Sequence, residues 1–314
     1  MLRYALTRIA LAMGTVLLTV LMLVIAIRLI PGDPAAAIMG PRATPELRAA
    51  IEARMGLDQP VLVQYIKFLG NTLRGDLGRD VRSEQPIAQM VIEKLPFTLT
   101  LIAASLAWSV LLGVVLGFVA ALRRASWTDR VIGTLSIAAI SAPPFVIALL
   151  LMLLFAVHLG VMPAIGAGEP GDPADQLRHL ILPAIALGTG WVGYIARLLR
   201  ASLLEVMTQN HFRTALAYAI PPQRLYVVYA LRIAIVPVVS VLGVGIGAMV
   251  SGGVLVEIVF SRPGIGSLIY DSVVTRNYPV LIATVMMTTS LYALAMLLAD
   301  LVTAILDPRV RTAS

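Results

Sequence analysis

The sequence predicts an all-α polytopic membrane protein with six transmembrane helices. Of its 314 residues, 59% are apolar and only 13% are charged, whereas about 25% of the residues in a soluble domain are charged. The apolar residues are concentrated in six charge-free runs, each close to the length of about 20 residues that crosses a bilayer. The runs cover residues 9–27, 95–122, 131–157, 180–196, 233–256 and 278–299.

The first run could be a cleaved signal peptide, because Arg3 and Arg8 precede it. Its length exceeds that of a usual signal-peptide core, and Arg28 follows before any small-residue cleavage site. We therefore interpret it as a retained span.

Two later runs have unusual features. Pro143 and Pro144 interrupt the third run, which predicts a kinked or partly re-entrant segment. The fourth run is the shortest, and it gains length if Arg178 and Arg197 extend toward the membrane interfaces.

The arginines predict the orientation. Outside residues 28–94, the loops on one side of the six runs hold twelve arginines and the loops on the other side hold three. Because positively charged loops stay in the cytoplasm, both termini are predicted to be cytoplasmic. The net charge of +7 is then explained by the arginines that set the orientation in the membrane. No polar segment combines basic with aromatic residues in the way of a nucleic-acid-binding surface, so no nucleic-acid partner is predicted.

Residues 31–94 are predicted to form an external helical region with balanced charge. One helix begins at Pro45 after Thr44 and ends before Gly56. A second covers 61–73, and a third, at 86–93, leads into the second span. The region could form a lid over an external opening or serve as a packed connector. The predicted divisions are 1–30, 31–94, a five-span core at 95–308, and a cytoplasmic tail at 309–314.

The polar loop at 197–232 is the second long interruption. A helical run at 203–220 is predicted to end at Pro221 and Pro222, because proline disfavours helical geometry in the residue before it. A second helix then enters the fifth span. Such a cytoplasmic helix–turn–helix suggests a docking element, and the alternative is a simple surface loop.

Several chemistries are excluded by the composition. Without cysteine there is no disulfide, thiolate metal site or thiol nucleophile. The three histidines are not spaced as metal ligands, so no metal site is predicted. Neither Lys67 nor Lys94 follows a phosphate-binding loop, so the chain is not expected to bind ATP.

The centres of the runs carry no charge, which argues against a proton-coupled mechanism. The acidic residues Glu257 and Asp300, at run ends, are interpreted as structural groups. A pathway for a polar solute would have to be lined by hydroxyl groups, although many such groups only bond their own helix. The candidates are Ser105, Ser109, Ser141, Ser251, Thr288, Thr289 and Tyr292. The glycine pairs Gly113/Gly117 and Gly243/Gly247 have the spacing that permits close helix contacts.

Short motifs recur in a fixed order along the chain. They are PGDP at 31–34, GLDQP at 56–60, GDLG at 75–78, RTA at 213–215, VPVV at 236–239, VE at 256–257, FSRPGIG at 260–266, YPV at 278–280 and DPRVR at 307–311. In this order and spacing, the chain resembles the integral membrane permeases of bacterial ABC importers. The resemblance is to the first, B-type permease of the dipeptide/oligopeptide/nickel group.

The resemblance implies a permease subunit, not an enzyme, that forms half of a translocation pathway in the inner membrane for di- or oligopeptides or a related small solute. The implied partners are a second homologous permease in a heterodimer, two ATPase subunits, an external substrate-binding protein and membrane lipid. No cofactor is implied in this chain, since ATP and Mg²⁺ would be bound by the ATPases. The residues alone leave a stand-alone carrier or channel, or a membrane scaffold, as alternatives.

The family also implies an ATPase-coupling helix in the polar loop. The positions that match it are Arg213, Thr214, Ala215, Ala217, Tyr218, Ala219, Pro221 and Arg224. The family pattern Thr-Ala-Arg-Ala-Lys-Gly-Leu is here TALAYAI at 214–220. Two positions that are basic in the family pattern are thus Leu216 and Tyr218 in this chain. This difference predicts a contact with the ATPase that is less electrostatic. The helix-ending glycine is Ala219, so Pro221 and Pro222 are expected to enforce the turn.

Overall fold

The computed structural model describes residues 2–31 and 44–306. The motif residues 32–34 and 307–311, the predicted tail at 309–314 and the side chain of Asp300 lie outside this description. Twelve α-helices occur in the described ranges, together with π-helical segments at Met152–His158 and Arg224–Ala230. The helices are α1 Leu2–Leu29, α2 Pro45–Arg54, α3 Val61–Leu73, α4 Ile87–Leu122, α5 Trp127–Ser141, α6 Pro144–Leu151, α7 Pro173–Thr208, α8 Asn210–Ala217, α9 Leu231–Ala234, α10 Val236–Val259, α11 Ile265–Val274 and α12 Tyr278–Leu306.

Five single helices are long and apolar enough to cross a membrane: α1, α4, α7, α10 and α12. The all-α polytopic fold is thereby confirmed. We call the side that holds residues 44–86 the insert side, and these residues the insert. The opposite side, which holds residues 209–232, is the loop side.

A broken helix pair provides the sixth crossing. Helix α5 is followed by α6 and its π-helical extension, with a bend of 102° at the predicted proline pair. Near the start of the pair, Asp129 contacts Arg200 at the loop-side end of α7. Beyond its end, the Gly166 N–H donates to the Phe260 carbonyl on the insert side, at 2.8 Å. The pair therefore begins and ends on opposite sides, and the predicted kink is confirmed.

Glycines bring the spans into close contact, as their spacing predicted. A Cβ atom on Gly117 would lie 2.6 Å from the Ala196 carbonyl oxygen of α7, and one on Gly113 would lie 2.8 Å from the Ile195 Cβ. On α10, a Cβ on Gly247 would overlap the ring of Tyr292. Small residues let helices approach where lipid gives no hydrophobic drive to association.

Several helix ends differ from the prediction. The helix expected at 86–93 is the first part of α4, and α7 extends beyond the run 180–196 at both ends. Charged residues end an apolar run without ending a helix, which explains both differences. The helix expected over 203–220 is broken instead at Gln209, whose backbone is extended (φ −74°, ψ 151°).

The insert packs on α1 and α12, and the first two predicted helices are confirmed as α2 and α3. Ile51 and Met55 are buried against Val20 and Val24 of α1 and Tyr278 of α12. Burial of this apolar surface is what holds the short helices in place.

Asp80 links the insert to the start of α12. Its carboxylate accepts hydrogen bonds from the Arg82 N–H (3.0 Å), the Ser83 hydroxyl (2.5 Å) and the Asn277 side-chain amide. Burial alone would raise the pKa of Asp80, but these bonds outweigh burial and hold the pKa below its usual value. The anchored state therefore depends on the ionised carboxylate.

The substitution Asp80→Asn is expected to destabilise the insert by about 1–3 kcal/mol at neutral pH, because it removes a charged acceptor from several donors. Since the folded pKa of Asp80 is lowered, this stabilisation is complete above the unfolded pKa and is lost as pH falls through the folded one. Amide hydrogen exchange of residues 76–87 measures it. The native insert should lose protection in acid below about pH 4, whereas the variant should already be weakened at pH 7 and change less. Identical pH profiles for the two proteins would contradict this role.

Candidate functional site

The loop segment, residues 209–232, is held beyond the membrane by α7. This helix has 36 residues and is about 54 Å long at 1.5 Å per residue, well over the thickness of about 30 Å of the hydrocarbon core. Its last turns bury Leu199, Leu203 and Val206 against the loop segment. The segment is thus built on a rigid extension of a membrane span.

Helix α8 buries one face against its own chain. Phe212 and Ala215 are buried with Leu225 and Ala230, and the ring centroids of Phe212 and Tyr226 are 5.8 Å apart. Ala215, one of the coupling candidates, therefore packs inside the subunit.

The other candidates of this segment are exposed. They are Arg213, Thr214, Ala217, Tyr218, Ala219, Pro221 and Arg224. Leu216 and Tyr218, the two positions that depart from the family pattern, have exposed fractions of 53% and 79%.

Helix α8 ends in a left-handed turn at Ala219 (φ 53°). The Ala219 N–H donates to the Leu216 carbonyl (3.0 Å), and the Ile220 N–H donates to the Ala215 carbonyl (3.4 Å). These two bonds form a Schellman motif, which usually has glycine at the left-handed position. The turn thus forms despite the alanine. The Pro221 carbonyl instead accepts from the Leu225 N–H (3.0 Å), so the prolines begin the next helix rather than the turn.

An ion pair fixes α5 to α7 beside this segment. Arg200 donates two hydrogen bonds to Asp129, at 2.6 and 2.7 Å, and the Asp129 carboxylate also accepts from the Ala125 N–H. Sequence reasoning missed this pair. The pattern Ser126-x-x-Asp129 before an apolar run, typical of a helix N-cap, could have indicated Asp129, and the Ser126 hydroxyl does accept from the Asp129 N–H (3.3 Å).

The structure separates the pathway candidates into two groups. Five of them contact neighbouring helices or their own backbone, and one of the five, Ser141, donates to the Ile137 carbonyl (2.9 Å) although it is exposed. Ser105 donates to the Leu101 carbonyl (2.7 Å), and Ser109 donates to the Gly188 carbonyl of α7 (2.9 Å). Thr288 bonds within α12 and lines an apolar cavity of about 230 Å³. Tyr292 packs against Gly247.

Ser141 and the remaining candidates lie closer to the surface. Thr289 is half-buried on α12, whereas Ser141 and Ser251 are exposed. Ser141 ends α5 at the bend, and Ser251 adjoins Gly252, which approaches Pro144 of α6. The bend therefore lies beside α10, and the exposed Ser141 and Ser251 are close in sequence to the residues that meet there.

A buried carboxylate joins three helices on the insert side. Glu257, near the end of α10, accepts from the Thr98 hydroxyl of α4 (2.6 Å) and from the Ser267 N–H in the first turn of α11 (3.1 Å). Thr98 in turn accepts from the Ile265 N–H (2.8 Å). These contacts support the structural role predicted for Glu257. They also identify Thr98, which sequence reasoning missed because its partner is 159 residues away.

Two glycines leave room for this carboxylate. A Cβ atom on Gly264 would overlap the Glu257 carboxyl group, and one on Gly266 would lie 2.8 Å from a Glu257 oxygen. Arg262, in the same turn, is buried and donates to the Thr100 hydroxyl (3.2 Å). Burial lowers the pKa of the Arg262 guanidinium, and the nearby Glu257 carboxylate opposes that shift.

The comparisons with known proteins decide the family. Residues 113–312 match the family described as the binding-protein-dependent transport system inner membrane component, and residues 1–102 match the N-terminal region of such membrane components. The chain belongs to this family. It is a multi-pass inner-membrane permease subunit of an ABC importer, which is a transport subunit and not an enzyme.

Relatives match the permease over nearly its whole length. It is 36% identical over 311 residues to the glutathione transport system permease protein GsiC of Salmonella choleraesuis (strain SC-B67), covering 99% of both chains. It is 35% identical over 309 residues to the probable peptide ABC transporter permease protein y4tP of Sinorhizobium fredii (strain NBRC 101917 / NGR234), covering 98% of this chain and 99% of the relative. Escherichia coli (strain K12) GsiC is 33% identical over 311 residues.

The substitution Gly264→Ala is expected to destabilise the permease by about 1–3 kcal/mol, because the added methyl group displaces Glu257 from its donors. Gly133→Ala is the matched control, since a Cβ atom there meets nothing within 4 Å and lies inside a helix. The thermal midpoint in detergent should fall for the first variant and stay or rise for the second. Equal midpoints for the two variants would contradict the crowding at Gly264.

Glycine substitutions at positions 217 and 219 are expected to act in opposite directions. Ala219→Gly should stabilise the end of α8 by about 1 kcal/mol, because it removes a side chain from a left-handed residue. Ala217→Gly should destabilise it by about the same amount, because that residue is helical. Hydrogen exchange of the amides at 215–220 measures both effects, and changes of the same sign would show that the turn is not strained.

Proposed function

We propose that the loop segment couples this permease to the ATPase subunits of its importer. The observation that supports this proposal is the exposed surface of α8 and its turn, where Arg213 and Arg224 flank the apolar Leu216 and Tyr218. Such a surface fits a groove that offers an apolar floor and acidic groups. Ala215 supports this surface from inside, and Ala217 is the small exposed residue that permits close approach.

The finer assignment of partners follows from the same proposal. The loop side is cytoplasmic, with both termini, and faces two ATPase subunits that bind ATP and Mg²⁺. The insert side faces the external substrate-binding protein. A second homologous permease completes a heterodimer. The divisions at 1–30, 31–94, 95–308 and 309–314 remain our proposal for the functional parts of the chain, with the coupling loop at 197–232.

The proposed pathway passes the bend beside α10. Ser141 and Ser251, close in sequence to the residues that meet there, are exposed and offer hydroxyl groups without charge. This permease would form one wall, and the second permease the other. Closure of the ATPases would move α8, and with it α7 and the spans, between inward-open and outward-open arrangements.

The proposed substrates are di- or oligopeptides, or a small peptide-like solute such as glutathione. The support is the names of the relatives: GsiC is a glutathione transport permease, and y4tP is a probable peptide transporter permease. The uncharged hydroxyl candidates are compatible with a polar, zwitterionic solute. Selection among such solutes is assigned to the binding protein.

Two substitutions in the loop segment test the coupling, one that reverses a charge and one that introduces a bulky side chain. Arg213→Glu and Ala217→Trp are each expected to release the ATPase subunits, because they place a like charge or a steric clash in the contact. The measurement is the ratio of ATPase to tagged permease after purification in mild detergent. Arg130→Glu is the matched control, since Arg130 is an exposed arginine on the same side outside the segment. Full ATPase recovery with both variants would refute this docking surface.

A further inference from the structure

Helix α3 and the residue Gln59 just before it contact α1 at two different positions along its axis. Before α3 begins, the Gln59 carbonyl accepts a hydrogen bond from Arg28, near the insert-side end of α1. One turn into α3, the Tyr65 hydroxyl donates to the Leu17 carbonyl at 3.1 Å. Arg28 and Leu17 are eleven residues apart, which is about 16 Å along a helix. These two contacts place the first part of α3 beside the insert-side half of α1 rather than above its end.

The second contact defines the depth of α3. Leu17 lies at the centre of the apolar stretch Leu6–Leu29 of α1, about 18 Å from its insert-side end. The hydrocarbon core is about 30 Å thick, so Leu17 is near its midplane. Because the contact is made by the Tyr65 hydroxyl, the Tyr65 backbone lies no farther from the level of Leu17 than the length of a tyrosine side chain. A hydroxyl at this depth has no water to bond, and the Leu17 carbonyl supplies its acceptor.

The surface of α3 has three sectors. Val61, Tyr65 and Phe68 pack against α1 and α12. Gln64, Lys67 and Asn71 form a polar sector along a recess of about 300 Å³ beside α2. The third sector is apolar and follows helical spacing: Leu62, Ile66, Leu69 and Leu73.

The apolar sector is uncovered in this chain. Leu62, Ile66 and Leu73 are exposed by 62%, 60% and 89%, and Leu69 is half-buried. Helix α1, which Tyr65 contacts, also carries exposed apolar residues, among them Leu18, Met22 and Ile25. Because α1 is long and apolar enough to span the membrane, exposed apolar side chains on it and on α3 at this depth have acyl chains as their natural surroundings.

We propose that α3 is embedded in the membrane leaflet on the insert side, with its apolar sector against lipid acyl chains. The depth given by the Tyr65–Leu17 contact favours lipid as the occupant. Lys67 and Asn71, on the opposite sector, face the polar recess, where the Lys67 amine can reach water along its aliphatic stem. The insert is thus partly a membrane element and not a wholly external cap.

The natural absence of cysteine makes a direct test possible. Single cysteines are introduced as Ile66→Cys and Leu73→Cys in the apolar sector, with Asn71→Cys as a matched control on the same helix. A bimane fluorophore is attached, and the permease, purified with its partner subunits, is reconstituted in phosphatidylcholine nanodiscs with or without doxyl groups on the acyl chains. Reactivity with a charged maleimide is measured on the unlabelled variants.

We expect doxyl lipid to quench the Ile66 and Leu73 probes several-fold more than the Asn71 probe, and the charged maleimide to react several-fold faster at Asn71. Fast maleimide reaction at all three positions would place α3 in water and overturn the proposal. Protection at positions 66 and 73 without lipid quenching would also overturn it, because a protein partner would then cover the sector. Leu73 protrudes at the end of α3, so Leu73→Cys gives a result even if Ile66→Cys fails to assemble.

Discussion

The arrangement of helices on the insert side depends on one buried carboxylate. Glu257 has no exposed surface, and in an apolar environment an unsatisfied carboxylate would be costly. Its oxygens are satisfied only when α4 supplies the Thr98 hydroxyl and the first turn of α11 supplies the Ser267 N–H. A side chain at Gly264 would occupy the place of the carboxyl group, and one at Gly266 would crowd both the Val254 backbone and a Glu257 oxygen. Two consecutive helices, α10 and α11, and the distant α4 are therefore fixed relative to one another by one residue.

The contacts of helix α8 differ in kind from several contacts on the insert side. On the insert side, polar contacts join separate elements: Glu257 with Thr98, Asp80 with Asn277, and Arg276 with the Pro31 carbonyl. Such contacts require fixed geometry and resist sliding. On the loop side, α8 is held mainly by the packing of Phe212 and Ala215, and apolar packing can shift without leaving a group unsatisfied. A subunit that moves in response to an ATPase needs its adaptable contacts on the loop side.

The sequence was informative about apolar length and much less so about polar partners. Hydropathy predicted the spans because each span must be apolar. The proline pair at 143–144 predicted the bend because proline interrupts a helix wherever it occurs, whatever its partners. The ends of α4 and α7 were not predictable from charge-free runs, since a helix continues through charged residues once it leaves the hydrocarbon. Glu257 could be singled out as an acidic residue at the end of a run. Thr98 could not, because nothing local marks a hydroxyl that bonds a group 159 residues away.

Ala219 shows how a departure from a family motif can leave the geometry intact. The Schellman turn requires a left-handed residue, and alanine pays a steric penalty of roughly 1–2 kcal/mol there. Ile220 follows the turn and packs against the cluster that also buries Phe212 and Leu225. Pro222 starts the next helix with a preset φ, so little backbone freedom remains between the two helices. Packing of Ile220 thus maintains a turn that glycine would otherwise permit, and the side chains at 216 and 218, which are exposed, do not pack into it.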